Sequence, residues 1–92
     1  MIRSFRHRGL RRLYEREDAS RLPADQVERI LLVLADLETA REPGDMNVPG
    51  YRLHRLRGDM REFWSVSVSR NWRVIFRLEQ GDIYDIDFVD YH

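Results

Sequence analysis

Apolar and polar residues recur with two different periods along this chain, and the change from one to the other divides it into a helical and a strand-like part. Val27, Ile30, Leu31, Leu34 and Leu37 follow an i, i+3, i+4, i+7 pattern, the stripe of a helix laid against a core. This helix is expected to open at Pro23, whose missing N–H costs nothing in a first turn, with Asp25 favourable to the helix dipole there. It is expected to end near Arg41, ahead of Pro43-Gly44. A short strand at residues 1–6 and an Arg-rich helix over about residues 8–17, with Leu10, Leu13 and Tyr14 on one side, are expected before it. From Tyr51 onward the period falls to that of a strand. Trp64, Val66 and Val68 share one face while Ser65, Ser67 and Ser69 share the other. After a turn at Ser69-Arg70-Asn71, Trp72, Val74, Phe76 and Leu78 alternate with Arg73, Ile75 and Arg77. Gln80-Gly81-Asp82 then turns the chain into a last strand, where Tyr84, Ile86 and Phe88 alternate with acids. The pattern predicts an α+β fold in which two N-terminal helices cover the apolar face of an antiparallel sheet of about four strands, leaving the Ser and Arg side open.

Composition narrows this picture. A chain of 92 residues has room for one domain, residues 1–92, and for one core. Hydrophobic residues at 42% and charged residues at 35% fit a globular chain, and no apolar run approaches the roughly 20 residues of a membrane span. Cysteine is absent, so disulfides and thiolate metal sites are excluded, and the Met1-Ile2-Arg3 start lacks the apolar core of a signal peptide. A cytoplasmic protein with no membrane partner is expected. Formal net charge is zero, yet it comes in blocks. Residues 1–16 hold six Arg and one acid, residues 17–49 three Arg and eight acids, residues 50–77 seven Arg and two acids, and residues 78–92 five acids and no Arg. Binding to a polyanion depends on local patches, so the neutral total does not exclude one. All sixteen basic residues are Arg. Codon bias in a GC-rich genome explains that more simply than phosphate recognition, so only the clustering carries weight.

The chemistry-bearing residues are few. Cleaving RNA without a metal requires taking the proton from a ribose 2′-hydroxyl, offsetting charge at phosphorus and protonating the departing 5′-oxygen. Imidazole suits both proton transfers because its ordinary pKa lies near about 6.5. His54 and His92 are the candidates, with Arg73 on the polar side of a central strand to hold the phosphate. Arg57 and Arg77 are weaker phosphate candidates. Tyr91 can stack on a base or orient the phosphate, and Asp90 can accept a hydrogen bond from a histidine ring and so select its tautomer. Each residue also has an ordinary reading: His54 as a strand-surface residue, His92 as a frayed end, Asp90 as a continuation of Asp85 and Asp87, and Arg73 as a solvated or ion-paired charge. Trp64 and Trp72 fit the core better than a base-stacking role, and His7 fits a solvated helix start. His54, His92 and Asp90 lack the tight spacing of metal ligands, and no metal or cofactor is expected.

Five segments together resemble the HigB toxins of the RelE/ParE superfamily of bacterial type II toxin–antitoxin systems. They are the opening Met1-Ile-Arg-Ser-Phe-Arg-His-Arg-Gly9-Leu, Tyr51-Arg-Leu-His54-Arg-Leu-Arg-Gly-Asp59, Trp64-Ser-Val-Ser-Val, Asn71-Trp-Arg73-Val and the closing Asp90-Tyr91-His92. The resemblance runs through the whole chain in order. It implies a RelE-like, microbial RNase-like fold with a curved sheet, and a ribosome-dependent endoribonuclease that cuts messenger RNA (mRNA) in the decoding site. It places the catalytic residues at His54, Arg73, Asp90, Tyr91 and His92. The RNA and phosphate contacts are expected at Arg52, Arg55, Arg57 and Arg77, and contact with ribosomal RNA along the Arg-rich first helix and residues 52–61. Arg57 stands where relatives often carry Lys, which preserves a cation but not a titratable amine. The implied partners are the ribosome, mRNA and a HigA-like helix-turn-helix antitoxin, through which alone the protein would meet DNA. Two rivals remain: a ParE-like, non-nucleolytic inhibitor of DNA gyrase, which has no need of the His54, His92 and Asp90 set, and a noncatalytic RNA-binding module, which would require exposed aromatic residues.

Overall fold

The computed structural model describes residues 1–91. Among them, α1 (Arg8–Arg16) and α2 (Val27–Thr39) precede β1 (His54–Arg55), β2 (Phe63–Ser67), β3 (Trp72–Glu79) and β4 (Asp82–Asp90), with single 3-10 turns at Ala24–Gln26, Pro43–Met46 and Gly58–Met60. This is the expected α+β arrangement of helices and an antiparallel sheet.

Local chemistry sets the helix ends. The His7 ring caps α1 by accepting the Leu10 N–H through Nδ1 at 3.2 Å, so His7 is a structural residue. Glu17, left-handed at φ 56°, closes the helix: its N–H donates to the Leu13 carbonyl at 3.0 Å and the Asp18 N–H to the Arg12 carbonyl at 3.3 Å. Tyr14 does not share the buried side of Leu10 and Leu13. It is 39% exposed, leans on the Phe5 ring at 5.3 Å and donates its hydroxyl to Glu38. In α2 the buried stripe is Ile30, Val33, Leu34 and Leu37, while Leu31, expected on it, is 47% exposed. Residues 30–34 are apolar throughout, so two overlapping stripes fit the same spacing and packing selects between them. The helix proper starts after the 3-10 turn that follows Pro23 and stops at Thr39, two residues short of the expected end.

The strands run antiparallel in the order β1-β2-β3-β4. Residues 1–6 do not form a continuous strand but touch the outer edge of β4 through two parallel bridges, Ile2 to Ile83 and Phe5 to Ile86. Val66, Val74, Phe76, Ile83, Ile86 and Phe88 of the sheet share one buried cluster with Leu10 and Leu13 of α1 and the α2 stripe. Trp64 and Trp72 pack against that cluster, Trp72 stacking on Phe88 at 4.6 Å, as core residues.

Two expectations about the faces fail. The alternation expected in the last strand breaks at Asp85, which has φ 54°: Ile75 pairs with Asp87 but Arg77 with Tyr84, so β4 carries one extra residue there. Ile83 therefore enters the core and Tyr84 lies beside Arg77, whose guanidinium is 5.3 Å from its ring. Ser4 Oγ accepts the Asp85 N–H at 2.8 Å and Arg77 Nε donates to the Asp85 carboxylate at 2.9 Å, which holds the bulge. Nor is the Ser and Arg face open. Ser65 is fully buried, and Phe63 and Ile75 are each 4% exposed. The Arg6 guanidinium lies 4.8 Å from the Phe63 ring, and the segment after β1 is tied back by the Leu56 N–H to the Phe63 carbonyl at 2.9 Å. Among the described residues, no helix is long and apolar enough to cross a membrane.

Candidate active site

His54 owes its placement to the residues just before it. Tyr51 is 3% exposed and donates its hydroxyl to Asp36 of α2 at 2.6 Å; burial first, and this bond second, push its pKa up to about 12. Its carbonyl accepts the Ser67 N–H at 2.6 Å, and the Arg29 guanidinium covers its ring at 4.8 Å. Next to this anchor, Arg52 is left-handed at φ 50° and its carbonyl lies 3.1 Å from His54 Nδ1. A carbonyl can only accept, so the ring donates from Nδ1, and in the neutral form its lone pair is on Nε2. His54 is exposed, with Nε2 available to a substrate.

Across the ladder from His54 lies Ser65, and beyond Ser65 lies Ile75. Arg73 of β3 donates from Nη1 to Ser65 Oγ at 3.1 Å, and its guanidinium carbon is 5.2 Å from the centre of the Tyr91 ring. Tyr91 is itself held by its N–H to the Asn71 carbonyl. One cleft of about 550 Å³ joins these groups: His54, Arg55 and Arg57 line it from one side of the sheet, Asp90 and Tyr91 from the end of β4. Leu56 and Met60 contribute from the segment between β1 and β2, Ile75 and Val89 from the strands. The volume falls within the roughly 300–1,000 Å³ of small-molecule sites.

Of the other sequence candidates, Arg77 and Arg52 fall outside the cleft. Arg77 is committed to Asp85 at 2.9 Å and Glu79 at 3.1 Å, and the bond to Asp85 raises its pKa further. Arg52 is exposed and does not line the cleft, serving it through its carbonyl instead. Arg55 lines the cleft while its Nε donates to the Arg61 carbonyl at 2.6 Å, which restricts its side chain. His92 lies outside the described residues. Ser65 was missed by the sequence, although pairing the two strands around the 69–71 turn would have set it one diagonal from Arg73.

An exposed imidazole with a defined tautomer, a carboxylate and several guanidinium groups around one cleft equip a small α+β protein for proton transfer beside a phosphate. Such equipment is chemically suited to a phosphodiester. Comparison of the sequence with known families is specific: the model of the HigB-like family, RelE-like toxins of type II toxin–antitoxin systems, matches residues 3–92, and the chain belongs to it. It is 44% identical over 92 residues, the full length of both chains, to "Endoribonuclease HigB" of Proteus vulgaris. It is also 29% identical over 83 residues, 88% of this chain and 87% of the other, to "Toxin HigB-1" of Vibrio cholerae serotype O1.

Proposed function

We propose that this toxin is a ribosome-dependent endoribonuclease that cuts mRNA in the decoding site and so stops translation. The observation that carries this reading is the single cleft in which His54, Arg57, Asp90 and Tyr91 meet, with Arg73 against Tyr91. In the reaction the ribose 2′-oxygen attacks the adjacent phosphorus and the bond to the 5′-oxygen breaks, giving a 2′,3′-cyclic phosphate and a free 5′-hydroxyl. His54 and His92 take up and return the two protons, His54 acting through Nε2 because Nδ1 is held by the Arg52 carbonyl. Arg73 and Arg57 offset the charge that builds on the phosphate oxygens, and Tyr91 and Asp90 orient the reacting groups. Arg55, Arg52 and Arg77 act at longer range on the RNA backbone.

The two helices lie against the apolar face of the sheet as in a RelE-like fold, and residues 1–92 act as one toxin domain. Membership in a toxin–antitoxin family implies an antitoxin partner. We assign that role to a HigA-like helix-turn-helix protein that neutralises the toxin and represses their operon, in the cytoplasm.

The test maps cuts in a defined mRNA incubated with the protein, with and without programmed ribosomes, beside His54→Ala and His92→Ala. Cleavage in the decoding site that needs the ribosome and both histidines is expected. Cleavage of free RNA at equal rate would remove the ribosome from the reading. No cleavage at all would move the search to non-nucleolytic toxins acting on gyrase.

A further inference from the structure

Helix α2 lends no side chain to the cleft, yet Arg29 and Asp36 of that helix reach the segment that carries His54. Both meet at the buried ring of Tyr51: Asp36 accepts its hydroxyl at 2.6 Å, and the Arg29 guanidinium lies over its face at 4.8 Å. Arg29 Nε is buried there without a hydrogen-bond partner. A dry donor costs free energy, which the contact of the cation with the ring offsets. Tyr51 is also the fixed point between two reversals of the backbone, Gly50 before it at φ 91° and Arg52 after it at φ 50°. Glycine adopts such a φ freely, whereas arginine is strained in it. That strained residue is the one whose carbonyl lies 3.1 Å from His54 Nδ1.

A strained conformation lasts only while its surroundings over-determine it. The Arg52 side chain is exposed, so its support comes from its neighbours: Tyr51 before it, and Leu53, packed against the core, after it. The Tyr51 carbonyl in turn accepts the N–H of Ser67, the ladder partner of Arg73. One buried side chain thus stands between α2 and the segments that carry His54 and Arg73. We propose that Tyr51, clamped by Asp36 and Arg29, is a positioning residue for the reaction, keeping Arg52 left-handed so that its carbonyl holds the proton on His54 Nδ1. The clamp leaves Nε2 as the ring atom that exchanges a proton with the RNA. Its contribution to rate rests on the ribonuclease reading, while its effect on the His54 ring does not. Without it Arg52 relaxes to a negative φ, the carbonyl turns away from the ring and the two neutral tautomers mix.

The experiment uses the full chain with its histidine ring nitrogens isotopically labelled for NMR. Above the His54 titration, the wild type is expected to give the two well-separated His54 signals of a single tautomer protonated at Nδ1. Tyr51→Phe removes the hydroxyl and keeps the ring, and in it those signals are expected to move toward each other. At saturation with programmed ribosomes the same variant is expected to cut mRNA about ten-fold more slowly with KM unchanged, the worth of one hydrogen bond to a charged group. Asp36→Ala is expected to reproduce both effects. Asp36→Asn, which keeps an oxygen to accept the hydroxyl, is expected to restore the wild-type signals and most of the rate. This second pair decides the matter should Tyr51→Phe fail to fold. Wild-type His54 signals in Tyr51→Phe and Asp36→Ala overturn the clamp, whatever happens to the rate. Merged signals with an unchanged rate overturn its positioning role. Failure of the wild type to cut any mRNA overturns the ribonuclease reading and the contribution to rate with it, and the NMR signals then still decide whether Tyr51 sets the His54 tautomer.

Discussion

Arg73 holds two partners at once, and one of them is buried. Its Nη1 donates to Ser65 Oγ at 3.1 Å, while its guanidinium stacks by Tyr91 at 5.2 Å. Ser65 is fully enclosed, so its hydroxyl cannot trade this guanidinium for bulk water. Arg73 is thereby fixed at one end while its remaining N–H groups stay available to a phosphate. If Arg73 stabilises charge in the transition state, Arg73→Ala should cost on the order of 10²–10³ in single-turnover cleavage with ribosome affinity kept. A loss confined to affinity would contradict that role. Ser65→Ala should slow cleavage roughly ten-fold by freeing the guanidinium, the worth of one charge-assisted hydrogen bond. The double-mutant cycle separates positioning from packing: in an Arg73→Ala background, Ser65→Ala should have no further effect on the rate. Effects that simply multiply would make Ser65 a packing residue. The contrast between these two residues shows what the sequence makes legible. Arg73 declares itself by its charge on a strand, as do His54, Asp90 and Tyr91 by their residue types. Ser65 reads as one more solvent-facing serine in an alternating strand, because alternation reports which face a residue occupies and not what covers that face.

The elements repeat this lesson at larger size. The helices, the strand order and the core residues of β2 and β3 follow from periodicity, because each is set by local backbone geometry and one buried face. The bulge in β4 does not. Asp85 reads as an ordinary strand acid, and only its bonds to Ser4 and Arg77, residues distant in the chain or across the ladder, make a left-handed residue tolerable there. Asp85→Val should lower stability by about 2 kcal/mol, since a β-branched residue resists a positive φ and forfeits the Arg77 bond. Asp85→Gly should cost less, because glycine adopts that conformation freely. Chemical denaturation of the two variants checks the order, and a valine no worse than glycine would mean that the bulge relaxes. A second long-range tie joins the helices to the N-terminal segment. Glu38 of α2 accepts the Tyr14 hydroxyl and the Ile2 N–H, the latter at 2.8 Å, and these bonds, the tyrosine's first, hold its carboxyl below the ordinary value of 4.5. With the folded-state pKa lowered, the contribution of Glu38 is present above the unfolded value and is lost as pH falls through the folded one. Glu38→Gln should therefore destabilise the protein at neutral pH, and its deficit should shrink toward about pH 3. Equal deficits at both pH values would remove the carboxylate from the account.

At the scale of the whole molecule the charge blocks become surfaces. The first basic block is displayed on α1, where Arg8, Arg11, Arg12 and Arg16 line one depression with Glu15. The second supplies Arg55 and Arg57 to the cleft, and the two sites have no lining residue in common. A chain with zero formal charge thus presents two cationic areas, one at the cleft and one on a helix that contributes no residue to it. A polyanion as large as ribosomal RNA can fit along the helix while mRNA enters the cleft, as the proposed ribosome-dependent reaction requires. On α1, Arg11 pairs with Glu15 at 3.4 Å and Arg12 with Asp18 at 3.6 Å, so Arg8 and Arg16 should answer most directly to an outside phosphate. Exposed pairs of this kind are weak and would exchange readily for phosphate, so all four arginines are available in principle. Removing one cation that pairs with a phosphate should flatten the dependence of log affinity on log salt by roughly 0.7–0.9. Replacing Arg8 and Arg16 by Gln should accordingly reduce the slope for ribosome binding by up to about 1.8. Once bound at saturation, the variant should cut mRNA at the wild-type rate, because α1 contributes no residue to the cleft. An unchanged slope would take α1 out of the ribosomal interface. A reduced rate at saturation would instead mean that α1 sets the orientation in which the cleft meets its substrate.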